Sequence, residues 1–202
     1  YIKSNITYHS YKKMITIITA TYNSAKTLEH LADSIRGQSY KEVQWIVIDG
    51  ASTDKTMEII KQNDDIVSYS LSEPDEGIYD AWNKALIHIK GDWIIFIGSD
   101  DELSSPKSLK NAVAQLQSLD NKFEICYGKV TVTSDDEPIY ELGKEFNEEQ
   151  FQIFLSPPHG ATFHRREVFE KIGDFDINFK IAGDYDLLMR YFICGGKFLS
   201  IV

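Results

Sequence analysis

Two adjacent carboxylates are the most chemically suggestive feature of this sequence. Asp100 and Asp101 follow the apolar run at residues 93–97 after only Gly98 and Ser99. Neighbouring carboxylates in a loop repel each other unless solvent or a cation separates their charges. A divalent cation would relieve that repulsion and could also hold a diphosphate, because carboxylates are hard oxygen ligands. The alternative is a solvated turn that leads into a helix capped near Ser104 or Ser105.

A third carboxylate stands at the end of another apolar run. Asp49 follows residues 43–48 and opens the loop at residues 49–54. A carboxylate at such a strand end can accept hydrogen bonds from a base or a ribose, as in dinucleotide-binding folds. Asp54 can be explained as the cap of the following helix, whereas capping does not account for Asp49.

The second half of the chain offers a histidine and another pair of carboxylates. His159 follows two prolines, and histidine binds metals and phosphates, although an isolated histidine is more often structural. Asp186 and Arg190 stand four residues apart and are expected to pair on one helix. Asp184 lacks such a partner, so it is either an N-cap or a free carboxylate able to act as a general base.

Alternating strands and helices are expected to position these groups. Four strands are predicted in the first half, at residues 14–19, 43–48, 66–71 and 93–97, with amphipathic helices between them. This βαβα rhythm indicates an α/β fold with a mainly parallel sheet covered on both faces. Ligands bind beyond the carboxyl ends of such strands, so residues 19–23, 49–50 and 99–101 are expected on one rim.

The second half is less regular. Helices are predicted at residues 109–119, 165–172 and 185–192, and strands at residues 124–133, 139–142, 160–164 and 198–202. Because the sequence stops within the last of these strands, we expect a C-terminal tail to be missing. Residues 1–13 are interpreted as a polar leader and residues 14–202 as a single domain.

The charge of the chain limits its partners. The formal net charge of −10 disfavours general binding to nucleic acid or to an anionic membrane face. The longest apolar run, residues 93–97, is far too short to span a bilayer. Cys126 and Cys194 form no CxxC pair and are interpreted as free, buried thiols in a reducing compartment.

Taken together, five segments resemble the inverting family 2 glycosyltransferases of the GT-A fold. They are residues 21–23, 49–54, 76–84, 98–101 and 159–190, in the order that the family has them. The sequence departs from the family at three positions. Gly98 stands where the metal motif often begins with aspartate, Gly183 replaces the acidic residue before the base, and Ala20 replaces a proline.

The resemblance implies a GT-A domain whose Rossmann-like sheet is flanked by helices. Residues 14–101 would be its nucleotide-binding half and residues 102–202 its mixed acceptor-side half. It implies nucleotide contacts at Thr19, Ala20, Thr21, Asn23, Asp49, Ser52, Gly77, Asp80, Asn83 and Asp100. It implies Mn²⁺ or Mg²⁺ on Asp100, with Asp101 and His159 as further candidates. Asp184 would be the catalytic base, with Asp186 left as the alternative.

The implied reaction is transfer of a sugar, with inversion, from a nucleotide-diphosphate sugar such as a UDP-sugar. The acceptor would be a hydroxyl of a glycan or a lipid-linked sugar in cell-surface polysaccharide synthesis. The reaction would take place in the cytoplasm, with peripheral association at the inner membrane face left open. Two alternatives remain. A sugar-phosphate nucleotidyltransferase would need a glycine-rich phosphate loop that residues 19–26 lack, and a non-catalytic sugar- or nucleotide-binding module would share the fold.

Overall fold

The computed structural model describes residues 14–119, 123–134, 137–153 and 157–201. The predicted polar leader and Val202 lie outside these ranges. The strands are β1 Ile15–Thr21, β2 Val43–Asp49, β3 Val67–Ser72, β4 Trp93–Phe96, β5 Ile125–Tyr127, β6 Val130–Ser134, β7 Glu137–Leu142, β8 Thr162–Arg165 and β9 Phe198–Ser200. The α-helices are α1 Leu28–Arg36, α2 Thr56–Gln62, α3 Ile78–Leu86, α4 Ser108–Ser118, α5 Glu148–Phe151, α6 Arg166–Ile172 and α7 Gly183–Ile193, and a 3₁₀ turn covers His159–Ala161. No helix within the described ranges is both long enough and apolar enough to cross a membrane.

Seven of the strands form one sheet in the order β3-β2-β1-β4-β8-β5-β9. The first four are parallel to one another, β8 is antiparallel to both of its neighbours, and β9 is parallel to β5. Six strands therefore point the same way. The predicted α/β fold with a mainly parallel sheet is confirmed, and the carboxyl ends of these six strands meet at one edge.

The central strands are apolar on both faces because helices cover both sides of the sheet. Along β1, Ile17 packs in the same buried cluster as Leu31 of α1, on one face. Ile18 points to the other face and joins the cluster that contains Ala81 of α3. The side-chain alternation of a strand thus divides β1 between two hydrophobic layers.

The predicted strand at residues 124–133 is wrong as a single element. The chain leaves the main sheet after Tyr127, and β6 pairs with β7 in a separate antiparallel hairpin. The residues of β7 are exposed along its whole length, so the hairpin does not share the buried core that defines β5. Gly128 and Lys129 stand at this break, but the β-branched residues on both sides of them favour a continuous strand in the sequence.

The two cysteines have different environments. Cys126 is fully buried in β5, and burial raises the pKa of its thiol to about 12. Cys194 is exposed at the C-terminal end of α7, so the prediction that it is buried is wrong. The cause is its position just beyond the last helical turn, where the chain turns away at Gly195 with φ +82°. Both thiols are free.

Candidate active site

The loops that follow β1 and β2 interlock at the carboxyl edge of the sheet. The backbone N–H of Asn23 donates to Ser52 Oγ at 2.8 Å, and the N–H of Thr53 donates to Asn23 Oδ1 at 2.9 Å. The loop after β4 joins them, because the hydroxyl oxygens of Ser24 and Ser99 lie 2.8 Å apart. Three polar segments predicted on one rim therefore do lie together. Asn23 and Ser52, which the resemblance predicts as nucleotide contacts, join the two loops through these hydrogen bonds.

The carboxylate of Asp49 lies beneath this rim and is 0% exposed. Its Oδ1 accepts hydrogen bonds from Thr21 Oγ1 at 3.0 Å and Ser52 Oγ at 2.5 Å. Its Oδ2 accepts from the Ser52 N–H at 2.9 Å and from Ser72 Oγ at 2.6 Å. These four bonds occupy the lone-pair positions that a carboxylate offers. Contact between Asp49 and a nucleotide stays a prediction and would require one serine to release the carboxylate.

The hydrogen bonds determine the ionisation of Asp49. Burial favours the neutral acid, but the bonds from Ser52, Ser72 and Thr21 outweigh burial and hold the pKa of Asp49 below its ordinary value. The group is therefore an anion at neutral pH. It fixes the ends of β1, β2 and β3 relative to one another.

We expect Asp49→Asn to lower the free energy of unfolding by about 2 kcal/mol at pH 7. The NH₂ group of asparagine would replace one carboxylate oxygen and would face groups that donate hydrogen bonds to that oxygen in the wild type. A lowered folded-state pKa stabilises the fold above the unfolded-state pKa, and this contribution is lost as the pH falls through the folded-state value. The difference between wild type and variant should therefore shrink towards acid pH. Urea unfolding at several pH values measures it, with Asp64→Asn at an exposed aspartate as the control. Equal stability of Asp49→Asn and wild type at pH 7 would contradict this role.

The side chain of Thr19 does not reach the rim. Its Oγ1 accepts a hydrogen bond from Trp45 Nε1 at 3.1 Å, and the residue is 0% exposed. Ala20 packs partly buried against the opposite hydrophobic layer. Thr19 lies two residues before the carboxyl end of β1, about 6–7 Å along the strand, so a position that the sequence predicts at the rim is a core position. Of the predicted residues in β1, Thr21 alone directs its side chain to Asp49.

The predicted contacts Gly77 and Asp80 shape the beginning of α3. Gly77 has φ +124°, a conformation that L side chains rarely adopt, and its N–H donates to Asp75 Oδ1 at 2.9 Å. Asp80 Oδ2 accepts from the Glu76 N–H at 3.0 Å and lies 3.2 Å from Lys84 Nζ. These bonds fix the turn that leads into the helix. Contact of Gly77 and Asp80 with a nucleotide stays a prediction.

The amide of Asn83 joins α3 to the segment between α6 and α7. Asn83 Nδ2 donates to the carbonyl of Phe175 at 2.8 Å, and the N–H of Phe175 donates to Asn83 Oδ1 at 3.0 Å. Both ends of the amide are thus used inside the protein. We therefore interpret Asn83 as a structural clamp, although sequence reasoning predicted it as a nucleotide contact.

The carboxylates of Asp100 and Asp101 converge over Gly98. A Cβ at Gly98 would stand 2.9 Å from Asp100 Oδ1 and 2.9 Å from Asp101 Oδ2. The Gly98 N–H donates to Asp101 Oδ2 at 3.1 Å. Loss of hydration raises the pKa of Asp101, the Gly98 N–H opposes this, and the charge of Asp100 adds to the increase. The absence of a side chain at Gly98 therefore leaves a space that two acidic oxygens face.

This arrangement fits a divalent cation for which the protein supplies only some of the ligands. Two carboxylates and substrate phosphates are the usual ligand set of Mg²⁺ in phosphate chemistry. Within the described ranges, no group of three His, Cys, Asp or Glu side chains is arranged to hold a metal. Asp100 and Asp101 could thus supply two oxygens, and the remaining ligands would have to come from diphosphate and water.

His159 belongs to an aromatic stack. Its ring lies 4.9 Å from Trp82 and 5.2 Å from Phe96, with interplanar angles of 29° and 22°. Burial lowers the pKa of His159 to about 3, so the imidazole is neutral. The structure gives no support to His159 as a metal ligand. Its neighbour Gly160 does approach the site, since a Cβ there would lie 3.5 Å from Asp101 Oδ2.

Asp184 and Asp186 have different environments. Asp186 Oδ2 accepts from Arg190 Nε at 2.8 Å, which confirms the predicted pair. Asp184 lies in the first turn of α7 without capping it, and its Oδ1 accepts a hydrogen bond from the Tyr79 hydroxyl at 3.2 Å. Sequence reasoning missed Tyr79, because no local pattern links residues that are 105 positions apart.

The N-terminal end of α3 connects the separate carboxylates. On one side, Asp75 Oδ2 lies 2.7 Å from the position of a Cβ at Gly50, the residue after Asp49. On the other side, the rings of Tyr79 and Trp82 are 5.4 Å apart, and Trp82 stacks on His159 next to the Asp101 loop. The Asp49 loop and Asp184 therefore contact α3 or its leading turn, and the segment of His159 and Gly160 lies between α3 and the Asp101 loop.

Comparison with known proteins identifies relatives over most of the chain. The profile of Glycosyl transferase family 2 matches residues 16–187. A PGL/p-HBAD biosynthesis glycosyltransferase of Mycobacterium bovis is 29% identical over 186 residues, which cover 89% of this chain and 70% of the relative. An uncharacterised glycosyltransferase of Rickettsia typhi is 30% identical over 192 residues, which cover 91% of this chain and 60% of the relative.

Solved structures share the fold. Staphylococcus aureus TarS 1-349 in complex with UDP-GlcNAc matches with a TM-score of 0.73 and 22% identity, over 88% of this chain and 52% of that chain. The mannosyltransferase PcManGT of Pyrobaculum calidifontis was solved with GDP-Man and Mn²⁺. It matches with a TM-score of 0.73 and 21% identity, over 95% of this chain and 55% of that chain. The chain thus spans about half the length of these two solved chains. The family profile covers both the rim and Asp184, and the chain belongs to glycosyl transferase family 2.

Proposed function

We propose that this protein transfers a sugar from a UDP-sugar to a hydroxyl acceptor, with inversion at the anomeric carbon and with a divalent cation. Membership of the family supports the reaction class. The observation that carries the proposal is the convergence of Asp100 and Asp101 over Gly98, at the carboxyl end of β4. This is the edge where parallel α/β sheets bind nucleotides.

The donor would lie across the interlocked loops after β1 and β2. Their geometry is fixed before binding, because Asp49, Ser52 and Asn23 hold them by short hydrogen bonds. Preorganised loops lose less conformational entropy when a ligand binds. Two proteins that share the fold were solved with UDP-GlcNAc and with GDP-Man, which supports a nucleotide-sugar donor.

Asp100 and Asp101 would hold the cation beside the diphosphate. A bound Mn²⁺ or Mg²⁺ would supply positive charge to the leaving diphosphate. Asp100 is exposed in the loop and so is accessible to a ligand. The Gly98 N–H orients Asp101 through the bond to Oδ2. PcManGT, which shares the fold, was solved with Mn²⁺, which supports a divalent cation in the reaction.

Asp184 would act as the general base. The carboxylate takes the proton of the acceptor hydroxyl while that oxygen forms a bond to the anomeric carbon. The bond between this carbon and the diphosphate oxygen breaks on the opposite face, and the nucleoside diphosphate leaves with the electron pair. One displacement therefore inverts the configuration. Asp186 is less suited, because its carboxylate is paired with Arg190.

The acceptor is proposed only as a class. A hydroxyl of a glycan or of a lipid-linked sugar fits a reaction in cell-surface glycan synthesis, and a relative is named for PGL/p-HBAD biosynthesis. We propose the cytoplasm as the compartment.

Thermal unfolding with a panel of nucleotide sugars, with and without Mn²⁺, tests the donor site. At a ligand concentration of about 100 Kd, binding adds about 2.7 kcal/mol to stability. For a domain of this size we expect Tm to rise by roughly 5–10 °C with the correct donor and Mn²⁺. Release of nucleoside diphosphate on adding acceptors or water then tests transfer.

Three outcomes would contradict the proposal. If no nucleotide sugar raises Tm, the donor site is wrong. Binding with neither transfer nor slow donor hydrolysis would indicate a non-catalytic module. Pyrophosphate release from a nucleoside triphosphate and a sugar phosphate would indicate a nucleotidyltransferase.

A further inference from the structure

Tyr79 lies between α3 and the first turn of α7. The residue is the second of α3 and is only 7% exposed. Its hydroxyl donates to Asp184 Oδ1 at 3.2 Å. Among the described residues, Asp184 Oδ2 has no hydrogen-bond partner. One oxygen of the carboxylate is therefore held by the protein, and the other remains available.

The ring of Tyr79 is fixed by tight packing. A Cβ at Gly183 would stand 2.8–2.9 Å from three of its ring carbons, so the ring packs directly on the backbone of Gly183. On its other sides the ring lies 5.7 Å from Phe175, in a stacked arrangement, and 5.4 Å from Trp82. A side chain at position 183 would therefore displace Tyr79.

The phenol of Tyr79 remains protonated at neutral pH. Burial raises the pKa of Tyr79, and the nearby charge of Asp184 raises it further. The hydroxyl can therefore only donate to the carboxylate, so the hydrogen bond has one direction. A hydrogen bond from a fixed neutral donor to a carboxylate is stronger than one between neutral groups.

We propose that Tyr79 is a positioning residue, which holds Oδ1 of Asp184 so that Oδ2 faces the acceptor hydroxyl. This inference rests on the proposed function, in which Asp184 is the base. A carboxylate on a free side chain samples several rotamers, and only some of them bring an oxygen to the reacting proton. A fixed donor limits this sampling in the folded protein, so the side chain of Asp184 loses no further conformational entropy during the reaction.

Kinetics of Tyr79→Phe and Asp184→Asn, alone and combined, test the coupling. Tyr79→Phe keeps the ring and its packing and removes only the hydroxyl. We expect kcat to fall by about 10-fold, within the range for a lost hydrogen bond to a charged group. The KM for the donor should be unchanged. In the Asp184→Asn background, Tyr79→Phe should change kcat by less than about twofold, because the group through which it acts is gone.

Tyr185→Phe is the matched control. Its hydroxyl donates to the carbonyl of Phe151 at 2.8 Å, so the variant loses one hydrogen bond from the residue next to Asp184 without affecting the carboxylate. We expect its kcat to stay within about twofold of wild type. A similar fall in both tyrosine variants would indicate loss of packing and would overturn the proposal.

Urea unfolding of Tyr79→Phe and Asp184→Ala, alone and combined, gives a readout that needs no activity. Alanine removes the acceptor of the Tyr79 hydroxyl, so a hydrogen bond between the two residues predicts that these substitutions are non-additive in the free energy of unfolding. Additive effects on stability or on kcat would overturn the positioning role. Absence of transfer by the wild type, with non-additive stability, would instead show that the proposed function fails while the contact exists.

Discussion

Asp184→Asn should lower kcat by about 10²–10⁴-fold, the contribution that a general base makes, while the affinity for the donor stays the same. The substitution preserves size and leaves an oxygen that can still accept from the Tyr79 hydroxyl. An amide, however, cannot take the proton of the acceptor. Because only the chemical step needs that proton, initial rates at saturating donor and acceptor should show the loss. Calorimetry with donor and Mn²⁺ should show none.

Asp186→Asn is the control for this experiment, since it removes the other carboxylate of the same helical turn. The Arg190 side chain would lose the negative charge of its partner but would still donate to the carbonyls of Ile172 and Asp174. We expect a small loss of stability and a kcat within about threefold of wild type, because one partly exposed ion pair within a helix contributes little. The reverse result, with Asp186→Asn inactive and Asp184→Asn active, would assign the base to Asp186.

The positions of the strand ends could be predicted from the sequence because they depend on a short-range pattern. An apolar run followed by polar residues predicts a strand and its end, and parallel strands bring those ends to one edge. In this way Asp49 and Asp100 could be assigned to neighbouring loops from the sequence. The same pattern could not separate Thr19 from Thr21, because both point to the same face of β1 and differ only in how far they lie from the strand end.

The contacts that sequence reasoning missed join distant parts of the chain. Asn83 pairs with the backbone of Phe175, 92 positions away, and Tyr79 with Asp184, 105 positions away. The apolar spacing in α3 correctly predicts that Ala81, Trp82 and Ala85 are buried. It does not predict that Tyr79 is buried while Ile78 is exposed, nor which partners the polar groups of the helix have. These depend on how α7 packs against α3, and that packing is a tertiary property that no local period encodes. The His159 ring is likewise explained only by its stack on Trp82.

Asp100→Ala should weaken the binding of UDP in the presence of Mn²⁺ by at least about 10²-fold, because even groups that only support a metal ligand contribute about 10–100-fold. The protein offers two carboxylates here and, among its described residues, no third metal-binding side chain to compensate. Binding of UDP without metal should be unaffected. Titration of UDP in the presence and absence of Mn²⁺, by calorimetry, separates the two.

Two variants of the same loop sharpen this test. Glu102→Ala removes an exposed carboxylate two residues further along and should leave Mn²⁺-dependent binding unchanged. Gly98→Ala keeps both aspartates but introduces a Cβ 2.9 Å from Asp100 Oδ1 and from Asp101 Oδ2, so the oxygens must separate. If the two carboxylates act together on one cation, Gly98→Ala weakens Mn²⁺-dependent binding although no ligand is lost. Full Mn²⁺-dependent binding by Asp100→Ala would mean that the cation is held elsewhere, and the space over Gly98 would then have no role in the reaction.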